Sequence, residues 1–417
     1  MFPARRTTHR RSIFLALATI GAFLTGAAFT AAALGQSELS RRGLPPATRV
    51  SFNTIDKADV RTFLERNGPT PVSAVEGDKF VALLKNDVKI TYTLDKQLQR
   101  TMERYLRNNR SIQHAAFVAV EPATGRVLAL VSYSRGQEGT VTPAALRGTF
   151  PAASIFKLVT VAAALQENKI TPDTVLRFRG GYWSMNRSVL NDNSRSDRNH
   201  LTVAKALGMS CNHCFGKVAT RFVGTDTLQA YADAFAFNYP FEFDLPVEMS
   251  KASIPRDRYE LARTGAGFGD VYFSPLHAAL VAATIANNGR MMEPRIVEKI
   301  EDSEGRVLYM PERRVIARPL RPEVAQEINR MMVNTVLEGT SRRAFSTFTA
   351  SHPDLDVAGK TGSLSGKNPP GLNYWFIGSA PVDNPTIAVS ALVIPRSGYS
   401  FKGNQVARHF FEAYFGS

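Results

Sequence analysis

With 417 residues and a hydrophobic fraction of 44%, the chain has material for about two domains, or for one large domain with an anchor and a linker. A formal charge of +15 favours anionic partners such as nucleic acid, a membrane surface or an anionic wall polymer. No zinc-finger spacing and no long basic helix accompanies that charge, which argues against nucleic acid.

The chain opens with a basic tail, residues 1–11, carrying Arg5, Arg6, Arg10 and Arg11. Ser12 to Gly35 follows as 24 residues without a charge, long enough to cross a bilayer. Arginines before the span predict an N-in, C-out anchor. A cleaved signal peptide ending near Ala31-Ala32-Ala33 is the competing reading, although its apolar region would exceed the usual length of about 7–15 residues. Arg10-Arg11-Ser-Ile-Phe-Leu is also a weak twin-arginine look-alike. Each reading puts the body of the protein across the membrane.

Residues 36–89 read as a juxtamembrane spacer with one short helix, Lys57 to Arg66. The main domain, 90–417, begins near the alternating segment Val88 to Asp95, a strand, followed by a helix from Gln97 to Arg107. Ala115 to Val120 and Arg126 to Ser132 form a hairpin through Pro122-Ala-Thr-Gly125. From Ile155 to Leu165 the sequence is almost continuously apolar, which predicts a buried helix. Ser154 stands at its start and Lys157 one turn later on the same face, and a buried ammonium needs a partner or a chemical reason.

Arg177 to His200 is a polar stretch containing Trp183. Two helices, Leu201 to Gly208 and Asn212 to Phe222, then meet at Met209-Ser210-Cys211. Cys211 and Cys214 form a C-x-x-C around His213, but three ligands packed into four residues with no second cluster make a poor metal site. No metal or cofactor is expected. An oxidised cysteine pair is compatible with export. Ser274 to Asn287 and Pro322 to Leu337 are further helices. Tyr374 to Ala380 and Thr386 to Ile394 form a second hairpin, and Asn404 to Phe415 is an amphipathic helix able to cover a sheet. Strands from both ends of the chain with helices between them predict an α+β fold around an antiparallel sheet.

The chemistry concentrates in three places. Ser154-Ile-Phe-Lys157 offers a hydroxyl nucleophile with an amine base. Ser210-Cys-Asn212 lies in a tight helix junction, chosen over Ser51-Phe-Asn53 and Ser184-Met-Asn186 because it follows an apolar helical run. Lys360-Thr361-Gly362-Ser363 should lie on a strand whose glycine lets a substrate backbone come close. S-x-x-K, S-x-N and K-T-G in this order resemble the signature of the penicillin-binding proteins and class A β-lactamases. From about Thr93 to the C-terminus the chain is similar to the penicillin-binding transpeptidase domain. Thr93 to Gln99, Asp270 to Leu276, Ile285 to Gly289, Glu338-Gly-Thr340 and Trp375 to Gly378 match as well. Pro151-Ala-Ala before the serine and Phe268, where glutamine is frequent, depart from the pattern.

The resemblance implies an antiparallel sheet flanked by helices and an all-helical subdomain, the β-lactamase-like fold, behind a single transmembrane helix. It implies that Ser154 attacks the penultimate D-alanine of an acyl-D-Ala-D-Ala stem peptide, with Lys157 as its base. Ser210 relays a proton to the leaving amine, and Asn212 binds Lys157 or the substrate amide. Lys360 attracts the terminal carboxylate, which Thr361 and Ser363 bind beside Gly362. The backbone N–H groups of Ser154 and Ser363 form the oxyanion hole. A β-lactam would be trapped on Ser154.

Peptidoglycan cross-linking by a D,D-transpeptidase is the expected activity, with D,D-carboxypeptidase as the alternative and a β-lactam sensor or inert scaffold behind it. Asn212 argues against a class D β-lactamase, where valine is expected. The stretch before Thr93 is too short for the glycosyltransferase domain of bifunctional relatives, so a separate polymerase is the expected partner. The expected place of the body is the periplasmic side of the bacterial cytoplasmic membrane.

Overall fold

The computed structural model describes residues 57–67, 74–83, 88–136 and 143–416. The basic tail and the apolar segment 12–35 lie outside the described residues. Among the described residues no helix is long and apolar enough to cross a membrane.

In chain order the body contains helix α1 (Lys57–Asn67), the hairpin β1 (Ala74–Glu76) and β2 (Lys79–Leu83), then β3 (Lys89–Asp95) and α2 (Lys96–Asn108). A second hairpin, β4 (Ile112–Val120) and β5 (Val127–Ser134), precedes α3 (Lys157–Gln166), α4 (Val203–Gly208), α5 (Asn212–Val218), α6 (Thr225–Ala234), α7 (Arg258–Gly265) and α8 (Pro275–Ala286). Strands β6 (Val297–Glu301) and β7 (Val307–Tyr309) lead to α9 (Pro322–Leu337) and α10 (Arg342–Ser351). The chain ends with β8 (Ala358–Lys367), β9 (Pro370–Ala380), β10 (Ile387–Pro395) and α11 (Gly403–Phe415).

The central sheet has five antiparallel strands in the order β8-β9-β10-β4-β5, so strands from the two ends of the chain meet at β10 and β4. β10 is buried along almost its whole length, and its Ile-Ala-Val-Ser-Ala-Leu-Val-Ile run lacks polar alternation because both faces are covered. One face carries α2 and α11. Leu98, Met102 and Leu106 recur every four residues on α2, and Val406, Ala407, Phe410 and Phe411 make the matching stripe on α11. Their rings interlock with the sheet, Phe117 lying 4.8 Å from Phe410. Against the other face lies α8, every residue of which is buried. Ser274 caps it, accepting from the His277 backbone N–H at 3.2 Å, and Pro275 takes the first position, where no amide donor is needed.

Two expectations need correction. The single sheet is joined by another five-stranded sheet, β1-β2-β3-β6-β7, that takes in β3 and the hairpin within 36–89. An ion pair between Lys57 and Glu293 ties α1 to the same region. The helical part is also not all-helical. Val175–Phe178 pairs antiparallel with Asn199–Thr202, with Leu176 and Phe178 buried and their neighbours exposed, the period of a half-covered strand.

Candidate active site

Ser154 sits on a 3-10 turn, Ala153–Phe156, that runs directly into α3, so it precedes the α-helix instead of capping it. Ala153 adopts φ +51°, a region that costs a residue with a Cβ about 1–2 kcal/mol. From Pro151 to Leu165 only Ser154 is not fully buried. The turn is braced by Gly267, whose φ is +97° and where a Cβ would fall 2.1 Å from the Ala153 carbonyl oxygen.

Beneath Ser154 lies Lys157, completely buried. Its Nζ donates to Ser154 Oγ at 2.7 Å, to Asn212 Oδ1 at 2.8 Å and to the Ala266 carbonyl at 2.5 Å. An ammonium fills all three contacts. A neutral amine keeps the two N–H bonds toward Asn212 and Ala266 and turns its lone pair on the serine hydroxyl. Burial, and next the charge of Lys360, hold the Lys157 pKa well below the usual lysine value. The geometry and the electrostatics both describe a base.

Ser210 lies in the tight turn between α4 and α5 with φ +55°, buried, its Oγ accepting from Lys360 Nζ at 2.9 Å. Cys211 caps α5 and forms a disulfide with Cys214. Asn212 is oriented by two bonds outside its helix. Its Nδ2 donates to the Trp183 carbonyl at 2.8 Å and its backbone N–H to the Tyr182 carbonyl at 2.7 Å, leaving Oδ1 for Lys157. His213 is buried beside the Phe178 ring and does not line the cleft. Among the described residues no His, Cys, Asp or Glu cluster is arranged to hold a metal.

The third motif is on β8, the end strand of the central sheet, paired so that Lys360 faces Ile377 and Ser363 faces Tyr374. Lys360 is buried, donates also to the Thr361 carbonyl at 2.8 Å, and has its pKa lowered by burial to about 7. Thr361 Oγ1 shares a hydrogen bond of 2.5 Å with Thr340 Oγ1. Gly362 lines the cleft and also lies close to the turn that bears Ser154. A Cβ there would meet Ala153 Cβ at 3.1 Å and the Ile155 nitrogen at 3.3 Å, so that turn also approaches it closely. Ser363 is exposed at the rim.

These residues share one cleft of about 630 Å³. Ser154, Ser210, Asn212, Thr361, Gly362 and Ser363 line it, while Lys157 and Lys360 lie underneath. All eight residues singled out in the sequence are thus brought together. Missed were the Ala266 carbonyl, Thr340 and the Tyr182-Trp183 pair. A backbone carbonyl leaves no trace in a sequence. Glu338-Gly-Thr340 was visible as a flanking match, and Trp183 as an aromatic in a polar stretch.

The family model for the penicillin-binding protein transpeptidase domain matches residues 115–415. The chain is 28% identical over 314 residues to the peptidoglycan D,D-transpeptidase PbpA of Mycolicibacterium smegmatis, covering 66% of this chain and 61% of that one. The chain thus spans about three fifths of the length of this curated relative. The D,D-transpeptidase domain of a peptidoglycan glycosyltransferase from Eggerthella lenta superposes with a TM-score of 0.67 at 25% identity, covering 78% of this chain and 82% of that one. Penicillin-binding protein A from M. tuberculosis, as its penicillin G acyl-enzyme complex, gives 0.61 at 25% identity, with 78% and 80% covered. With its three motifs gathered in one cleft and the family model spanning most of its length, the chain belongs to the penicillin-binding protein transpeptidase family.

Proposed function

We propose that the protein is a peptidoglycan D,D-transpeptidase that cross-links stem peptides through an acyl-enzyme on Ser154 and is trapped there by β-lactams. The observation that carries this reading is the 2.7 Å contact between Ser154 Oγ and a buried Lys157 whose pKa is depressed. Ser154 Oγ attacks the carbonyl carbon of the penultimate D-alanine as its proton passes to Lys157 Nζ. The negative oxygen that forms is met by the backbone N–H groups of Ser154 and Ser363. Collapse breaks the C–N bond, and the proton that Lys157 took passes through Ser210, whose hydroxyl accepts from Lys360, to the leaving amine. Lys360 and Thr361 hold the terminal carboxylate. An amine from a neighbouring strand then attacks the ester and gives its proton to the same relay as Ser154 leaves.

The proposal includes an anchor at 12–35, a body on the outer side of the cytoplasmic membrane and a separate glycan polymerase as working partner. The apolar run behind Arg5, Arg6, Arg10 and Arg11 supports the first two. The test supplies an acyl-D-Ala-D-Ala donor with and without an amine acceptor. The expected result is D-alanine release together with an acceptor-dependent transfer product, both lost in Ser154→Ala and reduced about 10²–10⁴-fold in Lys157→Ala. Hydrolysis indifferent to the acceptor would make the protein a carboxypeptidase.

A further inference from the structure

One polar segment of the chain, residues 177–197, is tied to both ends of the short helix α5. At the first end the tie is the one that orients Asn212, whose backbone N–H and Nδ2 donate to the Tyr182 and Trp183 carbonyls. Trp183 Nε1 adds a bond to the Met209 carbonyl, in the turn before α5, at 3.2 Å. Near the other end stands Lys217, only 2% exposed. Its Nζ donates to the Arg177 carbonyl at 2.6 Å, to Asp192 Oδ1 at 2.7 Å and to Asp197 Oδ2 at 2.8 Å. These bonds use all three protons of the ammonium.

Asp197 is as deeply buried as Lys217, whereas Asp192 is mostly exposed and also pairs with Arg221. Arg179 knits the segment internally, donating to Ser196 Oγ at 3.0 Å and to the Ser188 and Asn191 carbonyls at 3.1 and 3.0 Å. The stretch that carries Tyr182 and Trp183 is thus held as one body with the anchors of Lys217. A buried lysine–aspartate pair costs desolvation that apolar side chains of similar volume avoid. In return, three directed bonds fix one placement of the segment on α5, where apolar contact would tolerate several.

Resting on the reading of the cleft as a site of serine acylation, we propose that Lys217 and Asp197 are positioning residues of the reaction. Neither lines the cleft. They hold the Tyr182 and Trp183 carbonyls against Asn212, which keeps its Oδ1 on Lys157 Nζ and the base aligned with Ser154. Their effect passes through Asn212.

The test measures the second-order rate of penicillin acylation, by intact mass, in the full chain and three variants. Lys217→Met with Asp197→Asn removes both charges, so no lone ion is left buried. Asn212→Ala removes the residue through which the pair acts, and the third variant combines all three changes. The pair variant is expected to acylate about 10–100-fold more slowly than the wild type. Adding it to Asn212→Ala should cost no more than about twofold further, because the residues act as one unit. The acid limb of rate against pH should move down in both, since the Asn212 oxygen favours the ammonium form of Lys157 and is lost or turned away in each. Urea unfolding establishes that each variant is folded. If the pair variant does not fold, Asp192→Asn, which alters only the exposed partner, takes its place in the same cycle with a loss of about threefold. Wild-type acylation by a folded variant, an unmoved acid limb, or losses that multiply in the combined variant would overturn the positioning role, while acylation of the wild type on Ser154 upholds the reading of the cleft. A wild-type protein that penicillin does not acylate would overturn both.

Discussion

In the proposed mechanism acylation requires Lys157 neutral and Lys360 charged, and both lysines are buried under the same cleft. Burial and the charge of Lys360 hold Lys157 well below the usual lysine value, whereas burial lowers Lys360 to about 7 in the free protein. For a donor with a terminal carboxylate, kcat/KM should therefore fall as pH rises through about 7, the free-protein value. In kcat the same limb should move to higher pH, because the bound carboxylate favours the charged lysine. A kcat/KM that keeps climbing well above that pH would contradict the assignment of Lys360. The depressed pKa also links to folding. Between about 7 and 10.5 the unfolded chain holds this proton and the folded chain does not, so stability rises with pH across that window. Lys360→Met should lessen that slope and leave the part that buried Lys157 contributes, read by urea unfolding at several pH values. The residues gathered at the cleft were legible because a nucleophile, a base and a relay would need particular side chains at short spacings. What positions them was not. Gly267 was silent in the sequence because its role depends on the Ala153 carbonyl, more than a hundred residues away in the chain.

Among the elements, α2 shows how a polar residue can be structural. Gln99 is buried at the start of the helix, its Oε1 accepting from the Leu130 N–H at 2.8 Å and its Nε2 donating to the Leu130 carbonyl at 3.1 Å. It thereby satisfies the backbone of β5, the end strand of the central sheet opposite β8. Gln99→Ala should cost about 1–3 kcal/mol in chemical denaturation, because it strands two buried backbone groups. Penicillin acylation by the folded protein should be unchanged, since Gln99 lies outside the cleft. The helices were readable from local pattern, and Pro322 to Leu337 falls where the sequence placed it. The second five-stranded sheet was not. Its β3 pairs with β6 some two hundred residues later, and neither strand records that partner in its own sequence.

At the scale of the molecule, the fold brings three short motifs from distant parts of the chain against one strand edge. α8 packs under the sheet, α3 emerges beside β8, and the α4–α5 turn closes over Lys360. The order of motifs made this arrangement readable as a family resemblance, while the hold of Lys217 on residues 177–197 emerges only once α5 and that segment are set side by side. The central claim is that Ser154 is a nucleophile activated by Lys157. It is tested most directly by mixing the purified protein with penicillin and following its intact mass over time. The account predicts a lasting increase equal to one penicillin, located on Ser154 by peptide mapping, absent from Ser154→Ala and greatly slowed in Lys157→Ala. Folded protein that gains no mass, or gains it on another residue, would contradict it.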